Sequence, residues 1–186
     1  MIETVTAQQT GTLRAGLPAE VREATHRMAT GVSVLTCGGP ETVEGVTVST
    51  LALASLKPPV VSVSLREGSR GLHSLLTVSH FVVNTLAGHQ DEVARHFASR
   101  ERSSGTSQLP DGSWEGLSSQ GIPLLHDAVA WLECRVTRTL RVGDHRVVFA
   151  GVTGSAHRNA TPLVGLAGKL YPGPFAHDTS DSERDQ

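Results

Sequence analysis

The chain has only two cysteines, one tyrosine and two tryptophans in 186 residues. Cys37 and Cys134 lie far apart, so there is neither a disulfide framework nor a Cys-x-x-Cys zinc site. The nine histidines are scattered without a pair at metal spacing, each reading as an ordinary surface or core histidine, and no metal is expected. Charge of one sign is also missing. Sixteen basic against eighteen acidic residues leave a net charge of -2, with no basic stripe, which argues against nucleic acid. No apolar run approaches the ~20 residues of a membrane span, so no membrane role is expected. Met1 to Gly16 contains no continuous apolar stretch, so it does not read as a secretory signal, and the cytoplasm is the expected address. Several catalytic signatures are absent too: Gly-x-Gly-x-x-Gly after a strand, Gly-x-Ser-x-Gly and His-Glu-x-x-His. Gly165-Leu166-Ala167-Gly168-Lys169 has the wrong spacing for a phosphate loop, and Leu170 stands where a hydroxyl is needed.

The length suits one domain. Residues 1–16 read as a flexible polar tail, 17–172 as the folded domain and 173–186 as a second flexible tail. Pro18, Glu20 and Glu23 suit a helix start, Val21, Ala24 and Met28 fall on one face, and Gly31 can end the helix. Strands follow at Val32–Thr36 and Val43–Ser49, joined by the turn Cys37-Gly38-Gly39-Pro40-Glu41. Lys57-Pro58-Pro59 reads as a break. Val60–Leu65 then alternates, with Val61, Val63 and Leu65 on one face and Ser62 and Ser64 on the other. Ser69 can cap a helix over Arg70–Val78. Phe81–Leu86 is another strand, His89–Ser99 another helix, and residues 100–121 a long loop. Trp114 within it is an anchor for the loop's own packing or for a ligand lid. Ala128–Val136 and His145–Val152 are strands joined through Val142-Gly143-Asp144, and Thr161–Tyr171 can add one more. About six strands with hairpin-length turns predict an antiparallel barrel rather than a doubly wound sheet.

One stretch is rich in small hydroxyl residues at strand ends: Thr47, Ser49, Thr50, Ser55, Ser64 and Ser69, followed or interleaved by Arg66 and Arg70. Small side chains let a flat ligand lie against backbone, hydroxyls can bind its polar edge, and guanidinium forks bind phosphate. A helix starting at Ser69 would add its N-terminus. The plain alternative is a Ser/Thr-rich sheet face in solvent. Likewise Gly143-Asp144-His145 reads on spacing alone as a hairpin turn.

The order of these pieces resembles the flavin reductase family with the FMN-binding split-barrel fold, whose members supply reduced flavin to two-component monooxygenases. The resemblance runs from about Met28 to Tyr171. It is carried by Met28-Ala29-Thr30-Gly31-Val32-Ser33-Val34-Leu35-Thr36, Thr47-Val48-Ser49-Thr50, Ser55-Leu56-Lys57-Pro58-Pro59-Val60-Val61, Phe81-Val82-Val83-Asn84-Thr85-Leu86, Ala94-Arg95-His96-Phe97-Ala98, Ala130-Trp131-Leu132-Glu133-Cys134 and Gly143-Asp144-His145.

The resemblance implies a mainly β fold, a six-stranded antiparallel split β-barrel of Greek-key type with a few peripheral helices. It also implies a homodimer with flavin near the subunit interface. Thr47, Val48, Ser49, Thr50, Ala54, Ser55 and Leu56 would line the isoalloxazine. Ser64, Leu65, Arg66, Ser69 and Arg70 would lie toward the ribityl phosphate, with Asn84 nearby, and Tyr171 would complete the cofactor site. His145 would face the nicotinamide as the catalytic residue. The implied cofactors are FMN or FAD, with NADH or NADPH as electron donor, and the implied partner is a flavin-dependent monooxygenase. The chain departs from the family pattern at Ser49, Leu51, Ala52, Leu53 and Gly165. Two other readings therefore stay open: a flavin-dependent tailoring oxidoreductase acting on an organic substrate, and a non-catalytic dimeric flavin-binding module.

Overall fold

The computed structural model describes residues 18–173. The two tails expected over 1–16 and 173–186 therefore lie outside the described residues, Gly173 apart. The chain begins with α1 (Pro18–His26), then β1 (Thr30–Gly31), β2 (Ser33–Cys37), β3 (Glu44–Val48), β4 (Ala52–Leu56) and β5 (Pro59–Arg66). After these come α2 (Arg70–Val78), β6 (His80–Thr85), α3 (Asp91–Ala98), β7 (Trp114–Leu117) and β8 (Pro123–Leu125). The last third is β9 (Ala130–Val142), β10 (His145–His157), β11 (Leu163–Leu166) and β12 (Lys169–Pro172).

The main sheet is antiparallel throughout and runs β3-β2-β6-β9-β10-β5-β4. Six of its seven members, β2, β3, β5, β6, β9 and β10, are the six expected strands. The seventh, β4, was not expected. Its Ala-Leu-Ala-Ser-Leu sequence shows little strand patterning because β4 is an edge strand with four of its five residues exposed. Lys57-Pro58, read from sequence as a break, is the hairpin turn that folds β4 back on β5. The Thr161–Tyr171 segment is a hairpin, β11–β12, pairing with β1 in a separate three-stranded sheet.

The barrel is split, because its terminal strands β3 and β4 are not hydrogen-bonded to each other. A side chain does part of the closing. Beyond the end of β4, the Thr50 hydroxyl donates to the Ser64 carbonyl at 3.0 Å and accepts from the Ser64 amide at 3.1 Å. It thus satisfies two backbone groups of β5 that no neighbouring strand reaches.

The core explains the strand patterns. Val61, Val63 and Leu65 of β5 point inward with Leu35, Phe81, Val83, Cys134, Val148 and Ala150, and α2 covers this cluster with Leu72 and Leu75. Each such buried leucine contributes roughly 1.5–3 kcal/mol. A second cluster joins Val32, Val34, Leu86, Phe97, Leu125 and Leu163 beneath α3. Strand β2 is buried at all five positions because Leu35 faces one cluster and Val34 the other.

The first helix stops at His26, short of the expected Gly31, which instead lies in β1. Its expected inward face is uncovered: Val21 and Met28 are 51% and 62% exposed. Burial also determines the cysteine chemistry. Cys37 and Cys134 are free, and desolvation raises both thiols to about 12, with Glu44 and Glu133 adding smaller upward pushes.

Candidate functional site

Two glycines, Gly45 on β3 and Gly71 in the first turn of α2, position the walls of the site. A Cβ at Gly45 would stand 2.2 Å from the Phe97 ring, and one at Gly71 would stand 2.8 Å from Val46. Bare backbone at these points lets α3 lie on β3 and lets the first turn of α2 press against it. Between the two helices and the end of β5 opens a cleft of about 740 Å³.

One end of the cleft is built of strand ends. Thr47, Val48, Ser49 and Thr50 leave β3 along one side, and Ser64 and Leu65 leave β5 along the other. The other end is basic. It is formed by Arg66, Glu67, Gly68, Ser69, Arg70 and Gly71, with Arg100 and Arg102 arriving from the segment after α3. Ser69 caps α2 as its sequence position suggested, its hydroxyl oxygen accepting from the Leu72 amide at 3.3 Å. The first amides of α2 have no acceptor within the helix and contribute partial positive charge here.

The hydroxyls divide into two sets. Thr47 donates to the Ala94 carbonyl of α3 at 2.6 Å, and Thr50 is held by Ser64 backbone, so both are committed to the fold. Ser49 and the Ser64 side chain carry no hydrogen bond within the described residues. The arginines divide as well. The Nε of Arg70 lies 2.8 Å from Glu44 Oε2, and its two terminal nitrogens donate to the carbonyls of Arg102 and Ser103 at 2.8 and 3.2 Å. Arg102 donates to the Ser99 carbonyl while its Nε is buried without a partner. Burial, with Arg70 beside it, lowers the Arg102 pKa, and Glu44 only partly offsets this. Arg66 and Arg100 have no ion-pair partner among the described residues.

Thr47, Val48, Ser49, Thr50, Ser64, Leu65, Arg66, Ser69 and Arg70 therefore line one cleft, as the sequence reading expected them to share a site. Ala54, Ser55 and Leu56 do not. They sit on the edge strand β4, away from the cleft, with Leu56 73% exposed. Asn84 is fully buried and lies outside it. Its amide nitrogen donates to the Val34 carbonyl and the Thr36 hydroxyl, each at 3.0 Å, and its oxygen accepts from the Leu125 amide at 2.9 Å. Its polar atoms fasten β8 to the sheet.

Tyr171 on β12 pairs with Val164 and belongs to the three-stranded sheet. It stands just beyond a smaller cleft of about 340 Å³ that borders the first at Thr47, Val48, Ser49 and Ala98 and is walled by His26, Met28 and the β11–β12 hairpin. His145 starts β10 directly opposite Arg66, one strand away from the large cleft. Its Nδ1 lies 2.9 Å from Asp144 Oδ1, and this contact holds the Asp144 carboxyl below its ordinary value. Trp114 donates to the Thr106 carbonyl at 2.9 Å and packs edge-on against Phe97. Of the two roles open to it, it fills the first, packing of its own loop.

Arg100 and Arg102 were missed in the sequence. The available signal was the spacing Ser99-Arg100-Glu101-Arg102 directly after a helix, which reads as surface loop unless that helix is known to end at the cleft.

The model of the family described as flavin reductase like domain matches residues 25–173. A protein of Streptomyces viridifaciens named NADPH-flavin oxidoreductase is 36% identical over 157 residues, spanning 84% of this chain and 81% of that one. Two solved structures share the fold. BorF, the flavin reductase component of a bacterial two-component tryptophan halogenase, superposes with a TM-score of 0.78 at 30% identity, covering 84% of this chain and 98% of BorF. SgcE6 of Streptomyces globisporus, an NADH:FAD oxidoreductase solved with NAD and FAD fragments, gives 0.75 at 29% identity over 87% of this chain and 94% of its own. The chain belongs to the family of flavin reductase like domains.

Proposed function

We propose that this protein is an NAD(P)H:flavin oxidoreductase, which takes a hydride from NADH or NADPH for FMN or FAD and passes the reduced flavin to a partner flavin-dependent monooxygenase. The single observation that carries this reading is the large cleft with hydroxyl-bearing strand ends on one side and guanidinium groups on the other. The residues present fit a flavin. Ser49 and Ser64 have uncommitted hydroxyls for a polar ring edge among the described residues, and Arg66 has no ion-pair partner within 4 Å among them. Similarity to named flavin reductases supports the same reading.

A bound flavin supplies the redox chemistry itself, accepting hydride from the nicotinamide, so no protein nucleophile is required. The chain's own residues bind and align. The buried Val48 would offer a flavin an apolar contact, and the Ser49 and Ser64 hydroxyls would hold and orient its polar edge. Arg66, Arg70 and the first amides of α2 hold the anionic tail. His145 is assigned to orienting the nicotinamide, because Asp144 anchors its Nδ1 and leaves Nε2 uncommitted beside the Arg66 end of the cleft. The smaller cleft across Thr47–Ser49 is the adjoining space for the second substrate.

We also infer a homodimer. Leu53 and Leu56 of the edge strand β4 are 60% and 73% exposed, an apolar edge that a second copy would cover. With Trp114 packed inward, no observation favours a separate organic-substrate lid.

The test is anaerobic mixing of protein, FMN or FAD, and NADH or NADPH, following the oxidised-flavin absorption band. Bleaching with at least one pair is expected. No oxidation of either nucleotide with either flavin overturns the assignment.

A further inference from the structure

Glu44 and Glu67 are the carboxylates nearest the basic end of the cleft. Glu44 is engaged by Arg70 at 2.8 Å, and Glu67, which itself lines the cleft, is engaged by Arg146 at 2.8 Å. Four arginines, Arg66, Arg70, Arg100 and Arg102, line the same cavity from three separate elements. Little acidic charge opposes them. One phosphate monoester is amply served by Arg66, Arg70 and the start of α2, which leaves the Arg100–Arg102 pair in surplus.

The Arg102 side chain and the loop backbone are held in place, while Arg100 beside them is exposed. The Arg70 fork grips the carbonyls of Arg102 and Ser103, and Arg102 itself grips the Ser99 carbonyl. The loop after α3 is thereby tied to the start of α2. Arg102 keeps a buried Nε without an acceptor, next to another cation. A partly desolvated guanidinium such as that of Arg102 gains more from an anion than a fully exposed one does.

We infer that the Arg100–Arg102 pair is a second phosphate subsite, so that the preferred flavin carries a diphosphate: FAD rather than FMN. This rests on the flavin reading of the cleft. Arg66 and Arg70 take the phosphate nearer the ring, and Arg100 and Arg102 take the one leading out to the adenosine.

The test is equilibrium titration of the full chain with riboflavin, FMN and FAD, read by flavin fluorescence. FAD is expected to bind at least tenfold more tightly than FMN, about 1.4 kcal/mol. Arg100→Gln should weaken FAD about tenfold and FMN less than twofold; Arg100 is exposed and unpaired, so its melting temperature should not move. Arg102→Lys should act in the same direction. A mutation-free arm uses inorganic pyrophosphate, which should displace FMN at a concentration at least tenfold below that of inorganic phosphate. Equal FMN and FAD affinities, equal losses for both in Arg100→Gln, or equal potency of the two anions each overturn the diphosphate subsite. Failure of all three flavins to bind instead overturns the flavin reading beneath it.

Discussion

The two ends of the large cleft use polar side chains in opposite ways. At the strand-end side, two of the four hydroxyls serve the fold: Thr47 ties β3 to α3, and Thr50 ties the split barrel together at Ser64. At the basic side, only Arg70 is matched by a carboxylate, while Arg66 and Arg100 have no such partner among the described residues. The first end is a construction joint with two spare hydroxyls. The second carries charge that the chain itself leaves uncompensated. Changes at the first end should therefore register largely as stability, and changes at the second largely as ligand affinity.

The largest effect tests the wall shared by both ends. Gly45→Val drives side-chain atoms into the Phe97 ring and should cost about 3 kcal/mol, lowering Tm by roughly 6–12 °C and abolishing flavin binding. Calorimetry and flavin titration together check this, and an unchanged Tm would mean α3 shifts freely. Next, Arg66→Gln should lose about 1.5–3 kcal/mol of charge-assisted bonding. That is roughly 10- to 100-fold in FMN and FAD affinity, with riboflavin held within about twofold. Equal loss for riboflavin would contradict a phosphate role at this end.

At the joint, Thr50→Val removes a hydrogen-bond partner of two backbone groups of Ser64 and should cost about 1 kcal/mol of stability in urea denaturation. Ser49→Ala and Ser64→Ala should leave stability unchanged and weaken riboflavin, FMN and FAD alike by about 0.5–1.5 kcal/mol. A drop in stability instead would place these serines with the threonines. The smallest effect concerns the cysteines, which lie in the core and away from either end. With both thiols raised to about 12, neither should react with a thiol reagent at pH 8 in the folded protein. The sign on stability follows. Between the ordinary 9.0 and about 12 the folded thiols keep protons that the unfolded ones release, so folding weakens as pH rises through that window.

Much of the fold was legible because its signals are local. The alternation in Val60–Leu65 follows from β5 having one buried face, and the Ser69 cap is a contact across three residues. The edge strand β4 was not legible, since exposed Ala and Leu on an unpaired edge carry no period. The site was partly legible for a different reason. Nine of the expected residues converge because two strand ends and one helix start adjoin in space. Asn84 looked like a polar site residue in a strand, but Thr36, Val34 and Leu125 absorb its hydrogen bonds, and all three lie about forty to fifty residues away.

The sequence alone determined the six principal strands, the capped helix after β5 and the supply of hydroxyls and guanidiniums, because periodicity, capping and composition act within a few residues. Only the tertiary structure decided which polar groups remain for a ligand. A hydroxyl or guanidinium is free or committed according to what the fold places opposite it, and for Thr47, Thr50, Arg70 and Arg102 some or all of those partners come from distant segments.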